Sequence, residues 1–422
     1  MTATRARARP PGTRAAPASR VPLASRLDPS AAREAWRAFV ESRVVVLVAA
    51  VLGVALFPLS GRAQAGHPDI VHPFEGWPLG ELLDSLVAPL IRGDASWYMM
   101  IAHDGYVDEG IQTGGLVQGR PAFFPLYPLL MRALGGFGSF GFAALAGTLI
   151  SLASLLGALY LLYRLTELEL GPGAARATVR LIAFAPVAYF FSAPYTESLF
   201  LLLSVASIYA ARRGGWAAAG LLAAAASGTR NVGALLIVPL ALMYLREHGR
   251  PGPRMAWVGL APAGLVAFSV YLRADVGDWQ AWRHAQVYFG RPETVNPFEG
   301  ARQGVAAAWD ALAGSAPDDL QIPMLVAFGF LVFALVALVG VFRSLPLAYG
   351  AYSLALVIPA LCLPVLDNPL YGFPRYTLVA FPLFMWLGLR CERAGVTDRV
   401  VLAFACLLAV FTAGYATWQP IG

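Results

Sequence analysis

The sequence predicts an all-α polytopic membrane protein, and three observations carry that prediction. Hydrophobic residues fill 58% of its 422 positions and charged residues only 13%, a balance outside the range of ordinary soluble domains. Eleven apolar runs are long enough to cross a bilayer or come close to that length. The chain has no lysine, and its arginines lie unevenly between the runs, as expected when they set membrane orientation.

The N-terminal segment, residues 1–42, is rich in arginine, proline, alanine and serine, a composition that cannot build a hydrophobic core. We expect a disordered cytoplasmic tail, followed by one transmembrane domain over residues 43–422. An organellar transit peptide is the alternative for such an arginine-rich start. The net charge of +6 is not expected to serve nucleic-acid binding, because no soluble basic domain carries it.

The apolar runs give the predicted membrane spans. They cover residues 43–60, 139–162, 178–193, 195–211, 215–228, 231–245, 255–272, 322–342, 345–363, 373–389 and 400–418. Several middle runs are short for a bilayer of ordinary thickness. We therefore expect some of them to be broken or partly re-entrant, which is tolerated where protein surrounds the backbone.

Charge asymmetry gives the predicted orientation. With the N-terminus in the cytoplasm, 21 of the 31 arginines and only 8 of the 25 acidic residues fall on the cytoplasmic side, as the positive-inside rule requires. The first long loop (61–138) and a second one (274–321) then share the extracytoplasmic face with the short segments 194–197, 229–231 and 367–376. In the first loop, the apolar spacing of residues 79–91 predicts an interfacial helix.

The densest mixture of acidic, aromatic and turn residues lies in the first long loop. It runs from Arg92 through Asp94, Trp97 and Tyr98 to Asp104, and an aromatic stretch follows at 123–128. Charged side chains beside apolar segments carry a desolvation cost, so in membrane proteins they usually mark a pathway or a reaction site. This loop is therefore the first candidate for chemistry.

A set of short motifs resembles the PIG-V type mannosyltransferases, which act in GPI anchor synthesis. The motifs are Arg92-Gly93-Asp94-Ala95, Ile101-Ala102, Gly105-Tyr106, Ala122-Phe123-Phe124-Pro125, Tyr127-Pro128, the stretch 192–200 and Thr229-Arg230-Asn231. They cover about half of the chain in the family's order. At Gly93 the sequence departs from the family pattern, which usually has a tryptophan before the aspartate.

This resemblance implies a fold, a donor and an activity. The fold is a GT-C-like bundle, here of about eleven transmembrane helices, with a helical first extracytoplasmic loop that holds a catalytic acid. The donor is a polyprenyl-phosphate sugar, with mannose as the sugar transferred. The acceptor is a hydroxyl group of a glycolipid, a glycan or a protein. The expected location is the plasma membrane, and no cofactor is expected.

The expected chemistry needs one proton acceptor and one cation. Because a lipid phosphate is a good leaving group, the main requirement is a base for the acceptor hydroxyl. Asp94 is the predicted base and Asp104 the second choice. The alternatives are that Asp94 caps the helix that follows it and that Asp104 is a turn residue before Gly105.

The cation is expected to be an arginine, because its guanidinium matches a phosphate with two hydrogen bonds. Arg230 and Arg375 are the candidates. The alternative for Arg230 is an ion pair with Glu197, and for Arg375 it is a helix-end position at the headgroups. The remaining residues that we expect to bind substrate are Arg92, Trp97, Tyr98, Tyr127, Glu197 and Asn231.

The second long loop could hold a sugar or form an interfacial helix, and both alternatives stay open. The relevant side chains are Trp279, Trp282, Arg283, His284, Gln286, Tyr288 and Phe289. His103 and His284 are too isolated to predict a metal site. Cys362, Cys391 and Cys406 show no spacing typical of a metal or disulfide framework.

Three other functions compete with a mannosyltransferase. A transporter would need polar groups distributed through the bilayer to both faces, whereas here they gather at one predicted face. A GT-C enzyme that uses another lipid-linked sugar is barely separable from the sequence alone. A structural subunit without catalysis is the third.

Overall fold

The computed structural model describes residues 28–59, 72–106, 119–291 and 293–419. All regular elements in these ranges are helical. The α-helices are α1 (Pro29–Leu56), α2 (Gly80–Leu86), α3 (Ala95–Asp104), α4 (Leu126–Met131), α5 (Phe140–Leu170), α6 (Pro172–Ala183), α7 (Glu197–Arg212), α8 (Trp216–Ser227), α9 (Ile237–His248), α10 (Ala263–Asp275), α11 (Ala281–His284), α12 (Pro297–Leu312), α13 (Asp318–Ser344), α14 (Leu347–Cys362), α15 (Phe373–Val379), α16 (Phe381–Ala394) and α17 (Thr397–Ala416). The prediction of an all-helical chain is confirmed for these residues.

Four of the described helices are long and apolar enough to span a membrane, namely α1, α5, α13 and α17. The 3₁₀-helix Pro253–Leu260 and α10, which meet at a bend of 49°, add a fifth if the pair crosses as one span. Helices α8 and α14 are apolar but shorter. The chain is therefore a multi-pass membrane protein, and the predicted count of eleven spans is not confirmed.

Two of the predicted spans are not continuous α-helices in the structure. The predicted span 178–193 leaves the α-helix at Ala183, three residues before Pro186, and continues as a buried turn. The predicted span 373–389 is divided at Ala380 into α15 and α16, with Pro382 in the first turn of the second helix. Proline lacks the N–H that a continuous helix needs, and hydropathy alone does not place such a break.

Helix α1 begins at Pro29, well before the predicted span at 43–60. The side chain of Asp28 caps it by accepting hydrogen bonds from the N–H groups of Ser30 and Ala31. Residues 29–42 are thus helical and do not belong to the predicted disordered tail, of which residues 1–27 lie outside the described ranges. The cap explains the early start, because it satisfies otherwise unpaired N–H groups of the first turn.

The bundle is held by close helix packing around α5 and α1. Helix α5 packs against α6 and α7, and α1 packs against α17. At the α1–α17 crossing, a Cβ on Gly53 would lie 2.8 Å from the Cα of Ala413, so only glycine allows this approach. Small residues at such crossings are typical of helix pairs in membranes.

Arg43 joins α1 to the broken segment after α6. Its guanidinium is buried and donates to the carbonyls of Ala183 (3.0 Å) and Ala188 (2.9 Å) and to the hydroxyl of Ser192 (2.7 Å). Irregular backbone at membrane depth needs partners for its polar groups. Arg43 supplies them, which is why the segment before α7 can turn inside the protein.

The first long loop contains a short helix that ends sooner than predicted. The expected helix at 79–91 is α2, which ends at Leu86, followed by a single 3₁₀ turn (Ala88–Leu90) that contains Pro89. The chain then enters α3 through Arg92, Gly93 and Asp94. Residues 107–118, with Asp108 and Glu109, lie outside the described ranges.

Candidate active site

Segments from both long loops and from two helix ends meet around a cavity of about 370 Å³. They are the segments that charge asymmetry predicts to share one face. The polar residues that line the cavity are Asp94, Tyr98, Thr196, Thr229, Arg230, Asn231, Gln286, Arg291, Asp367, Asn368, Tyr371, Arg375 and Tyr376. Of the predicted catalytic and substrate-binding residues, the cavity brings together Asp94, Tyr98, Arg230, Asn231 and Arg375.

Asp94 precedes α3, but its side chain makes no capping hydrogen bond. Instead, Oδ2 accepts a hydrogen bond from Nη1 of Arg375 at 2.5 Å, and the side chain is 30% exposed. The capping alternative is therefore wrong for this structure. The carboxylate is left on the cavity wall with one oxygen held by an arginine.

The backbone at Asp94 is fixed by Tyr195. The Asp94 N–H donates to the Tyr195 hydroxyl at 2.9 Å, and this hydroxyl donates to the carbonyl of Arg92 at 2.8 Å. Between them Gly93 has φ of +54°, and a Cβ there would lie 2.8 Å from the Tyr195 oxygen. The positive φ and the close approach of the Tyr195 hydroxyl both favour glycine at position 93.

A buried ion network stands directly behind Asp94. Oε1 of Glu197 accepts hydrogen bonds from Nη1 of Arg230 (2.8 Å) and Nε of Arg375 (2.6 Å). Glu197 is fully buried and does not line the cavity. Two carboxylates and two guanidiniums therefore neutralise one another in a chain that ends at Asp94. Arg230 thus forms the ion pair with Glu197 that was given as its alternative, and Arg375 binds the same carboxylate.

Aromatic rings hold both arginines in place. The guanidinium carbon of Arg375 lies 4.7 Å from the ring centre of Tyr195 and 5.1 Å from that of Phe190. That of Arg230 lies 4.7 Å from the ring centre of Tyr376. Such cation–π contacts strengthen when they are removed from water. The two arginines are therefore parts of a rigid frame.

Tyr98 presents a neutral phenol to the cavity. Burial raises the pKa of Tyr98 well above its ordinary value, and the negative charges of Glu197 and Asp94 raise it further. The hydroxyl lies 3.4 Å from that of Thr196. Tyr127, by contrast, is fully buried and bonds to the carbonyl of Gly147 and the hydroxyl of Ser151, each at 2.8 Å. Tyr127 supports the loop from beneath and does not line the cavity.

Asp104 lies at the far end of α3 from Asp94. Ten residues of helix separate the two carboxylates by about 15 Å along the axis, and Asp104 does not line the cavity. It contacts Nδ1 of His103 at 2.5 Å and Nη2 of Arg120 at 3.7 Å. The two acids of this loop therefore do not share a site.

Arg92 and Trp97 connect the first long loop to other parts of the protein and are not among the lining residues. Arg92 donates to the carbonyls of Ala88 (2.6 Å), Ile91 (2.9 Å) and Ala416 (3.0 Å), which ties the loop to the end of α17. Burial lowers the pKa of Arg92 to about 10. Trp97 stacks on Phe123 with ring centres 5.6 Å apart. Both residues shape the site indirectly.

Arg291 is a cavity residue that the sequence analysis missed. Nη1 donates to the side-chain oxygen of Gln286 (3.0 Å) and Nη2 to the carbonyl of Tyr371 (3.4 Å). Within the described ranges it has no carboxylate in ion-pair contact, unlike Arg230 and Arg375. In the sequence it stands between Gly290 and Pro292 and reads as an ordinary loop residue, so its isolation from acids became visible only in three dimensions.

Asn368 is a second missed residue with unusual surroundings. It is 4% exposed and lines the cavity, yet neither its amide nitrogen nor its amide oxygen has a hydrogen-bond partner among the described residues. Unpaired buried polar groups are rare and call for a partner. The only hint in the sequence was its place in the segment 367–376, which the topology assigned to the same face.

The second long loop contributes only part of its aromatic set. Trp282, Gln286 and Phe289 line the cavity, whereas His284 pairs with Asp278 at 2.6 Å. No group of three or more metal-ligating side chains occurs within the described part of the chain.

Comparison with known proteins identifies a family that the chain matches. A family model described as Mannosyltransferase (PIG-V) matches residues 33–246. The GPI alpha-1,6-mannosyltransferase 2 of Rattus norvegicus is 32% identical over 217 residues, which cover 49% of this chain and 41% of that protein. The match thus spans less than half of this relative. No solved structure matches. Arg291, Asn368 and Arg375 lie beyond the segment that the family model matches.

Proposed function

The chain belongs to the PIG-V mannosyltransferase family, and from that premise we propose that it transfers mannose from a polyprenyl-phosphate-mannose donor to an acceptor hydroxyl at the extracytoplasmic face of the membrane. The observation that carries the proposal is the position of Asp94. Its carboxylate lies on the wall of a cavity, held by an arginine and backed by a buried ion network.

Asp94 is the proposed base. Oδ2 is occupied by Arg375, while Oδ1 has no hydrogen bond to a described residue. In the reaction the acceptor oxygen forms a bond to the anomeric carbon, and the bond from that carbon to the phosphate oxygen breaks. The electron pair leaves with the lipid phosphate, and the hydroxyl proton passes to Asp94. A base placed in this way commonly contributes about 10² to 10⁴ in rate.

Arg291 is the proposed ligand of the donor phosphate. The charges of Arg230 and Arg375 are compensated by Glu197 and Asp94, so these arginines mainly position the base. Arg291 has only neutral acceptors among the described residues, and a guanidinium matches a phosphate in shape and charge. The amide of Asn368 can give and accept a hydrogen bond, which suits a sugar hydroxyl in the same cavity.

The lipid chain of the donor has an apolar wall to follow. Leu320 and Pro323 of α13, together with Leu363 and Val365 after α14, supply apolar lining to the cavity. A polyprenyl chain is purely hydrocarbon and needs such a surface beside its polar head. The acceptor is a glycolipid, a glycan or a protein hydroxyl, and a GT-C enzyme for another lipid-linked sugar would use the same groups.

The proposal is tested with purified protein and membranes of a deletion strain as the acceptor source. We expect transfer of labelled mannose from polyprenyl-phosphate-mannose without any nucleotide sugar. The same lipid carrying glucose or arabinose serves as the sugar control. Efficient turnover with GDP-mannose alone, or no transfer from any lipid-linked sugar, would contradict the proposal.

A further inference from the structure

A second cavity lies at the other end of α13. It has a volume of about 560 Å³ and is bounded by the last turns of α13 and by α16. The polar residues of its lining are Arg343, Ser344, Trp386, Arg390 and Arg393. None of its lining residues is acidic. The proposed reaction and the family resemblance leave this cavity without a role.

The three arginines are not neutralised by neighbouring acids. Arg343, Arg390 and Arg393 are exposed, and none forms an ion pair with a described carboxylate. The nearest acids in the sequence point elsewhere. The carboxylate of Glu392 packs against Gly173 of α6, and Asp398 pairs with Arg180 at 2.6 Å. The cavity therefore carries an uncompensated positive charge.

The other polar groups of the cavity add donors. The indole of Trp386 and the hydroxyl of Ser344 also belong to the lining. A Cβ on Gly340 would fall 2.0 Å from Nε1 of Trp386, so the indole lies directly on the backbone of α13. A recess lined by guanidiniums, an indole and a hydroxyl is suited to an anion rich in oxygen atoms.

The position along α13 places this cavity at the opposite membrane surface from Asp94. Pro323, near the start of α13, lines the first cavity, and Arg343, in its last turn, lines the second. The helical segment between them is about 30 Å long at 1.5 Å per residue, which equals the thickness of the hydrocarbon core. The arginine asymmetry assigns this end to the cytoplasm.

The wall toward the bilayer is apolar. Val336 and Val339 line the cavity and are 55% and 50% exposed. Leu335 and Val332 continue the same exposed surface toward the membrane centre. A charged recess thus lies at the water-facing end of an apolar strip. This arrangement matches a phospholipid, whose charged headgroup faces water and whose acyl chains extend toward the membrane centre.

From these observations we infer that the cavity is a binding site for the phosphate headgroup of an anionic phospholipid of the cytoplasmic leaflet, with an acyl chain along Val336 and Val339. Anionic lipids concentrate in that leaflet, and basic recesses between helices bind their headgroups. Cations at helix C-termini also offset the helix dipole, but that effect needs neither a shared recess nor a lipid-facing apolar strip.

The test is lipid retention measured by native mass spectrometry on the purified full chain, with phosphatidylglycerol or phosphatidylcholine added. The wild type is expected to retain phosphatidylglycerol preferentially. The triple variant Arg343→Gln, Arg390→Gln and Arg393→Gln is expected to lose this preference, at about fivefold for each charge removed. The matched control removes three exposed arginines of the same predicted face, with Arg250→Gln, Arg254→Gln and Arg399→Gln, and is expected to behave as wild type.

Several outcomes would overturn the inference. They are equal retention of both lipids by wild type, unchanged preference in the triple variant, or an equal loss in the control. Displacement of the lipid by millimolar inorganic phosphate would assign the site to a soluble anion. If the triple variant fails to fold, the single variant Arg343→Gln decides the matter, with an expected loss of about fivefold. Mannosyl transfer is not part of this test, so its result stands apart from the proposed function.

Discussion

At the residue scale, Glu197 lies behind the cavity wall and not on it. It is fully buried behind the cavity wall and holds Arg375, which in turn holds Asp94. From the sequence, Glu197 is among the residues expected to bind substrate. Because it is buried, Glu197 instead holds Arg375 in place, and Arg375 binds the proposed base Asp94.

We predict that Glu197→Gln lowers stability strongly. Removing one partner of a buried ion pair leaves uncompensated charge and typically costs about 3 to 5 kcal/mol. Thermal unfolding in detergent measures the effect. The control is Glu299→Gln, which removes an exposed pair with Arg302 and should leave the melting temperature almost unchanged. Equal melting temperatures for both variants would show that the network contributes nothing to the fold.

Arg291 gives a second prediction at this scale. Arg291→Gln should raise the KM for the lipid donor and weaken binding of polyprenyl phosphate about tenfold or more, because a charge-assisted contact is worth about 1.5 to 3 kcal/mol. Arg291→Lys keeps the charge but loses the bidentate geometry, so its affinity for the donor should lie between that of wild type and that of Arg291→Gln. Arg302→Gln on α12 is the control. Unchanged donor binding in Arg291→Gln would remove this residue from the site.

At the scale of elements, the turn into α3 determines where Asp94 lies. Gly93 has a positive φ and lies against the Tyr195 hydroxyl, so the turn needs glycine at this position and leaves no room there for a side chain. The helix expected directly after Asp94 is present as α3. The side-chain partner of Asp94 was not predictable, because Arg375 lies 281 residues away in the sequence.

We predict that Gly93→Ala displaces Asp94 and lowers transfer. A left-handed conformation costs a residue with a Cβ about 1 to 2 kcal/mol, and the new methyl group also collides with the Tyr195 hydroxyl. The initial rate of mannosyl transfer is the measurement. Gly259→Ala is the matched control, since nothing lies within 4 Å of a Cβ there and its φ is not positive. A Gly93→Ala enzyme with the wild-type rate would contradict this account of the turn.

For the molecule as a whole, simple counting of charges was more informative than counting of spans. Arginine asymmetry grouped the segments that carry Asp94, Arg230 and Arg375, and the structure brings these three side chains together. Hydropathy, however, did not reveal the breaks at Ala183 and Ala380, because a broken segment surrounded by protein is as apolar as a continuous helix. Arg291 and Asn368 were missed because a lack of partners is a property of three-dimensional packing.

The predicted orientation has its own test. A reporter fused after Tyr106 or Arg291 should lie outside the cytoplasm, and one after Arg250 should lie inside. Cysteine labelling at the same positions with a membrane-impermeant reagent provides an independent check. A cytoplasmic signal after Tyr106 would place Asp94 on the wrong side of the membrane for the proposed donor.

The most direct test of the central claim is the rate of mannosyl transfer from polyprenyl-phosphate-mannose by Asp94→Asn. Asparagine keeps the size of the side chain and leaves Arg375 paired with Glu197, so the variant should fold and bind the donor. It lacks the proton acceptor, and we predict a rate at least about a hundredfold below wild type. Asp104→Asn and Asp367→Asn should remain active. Wild-type activity in Asp94→Asn would contradict the assignment of Asp94 as the base, whether or not the other two variants are active.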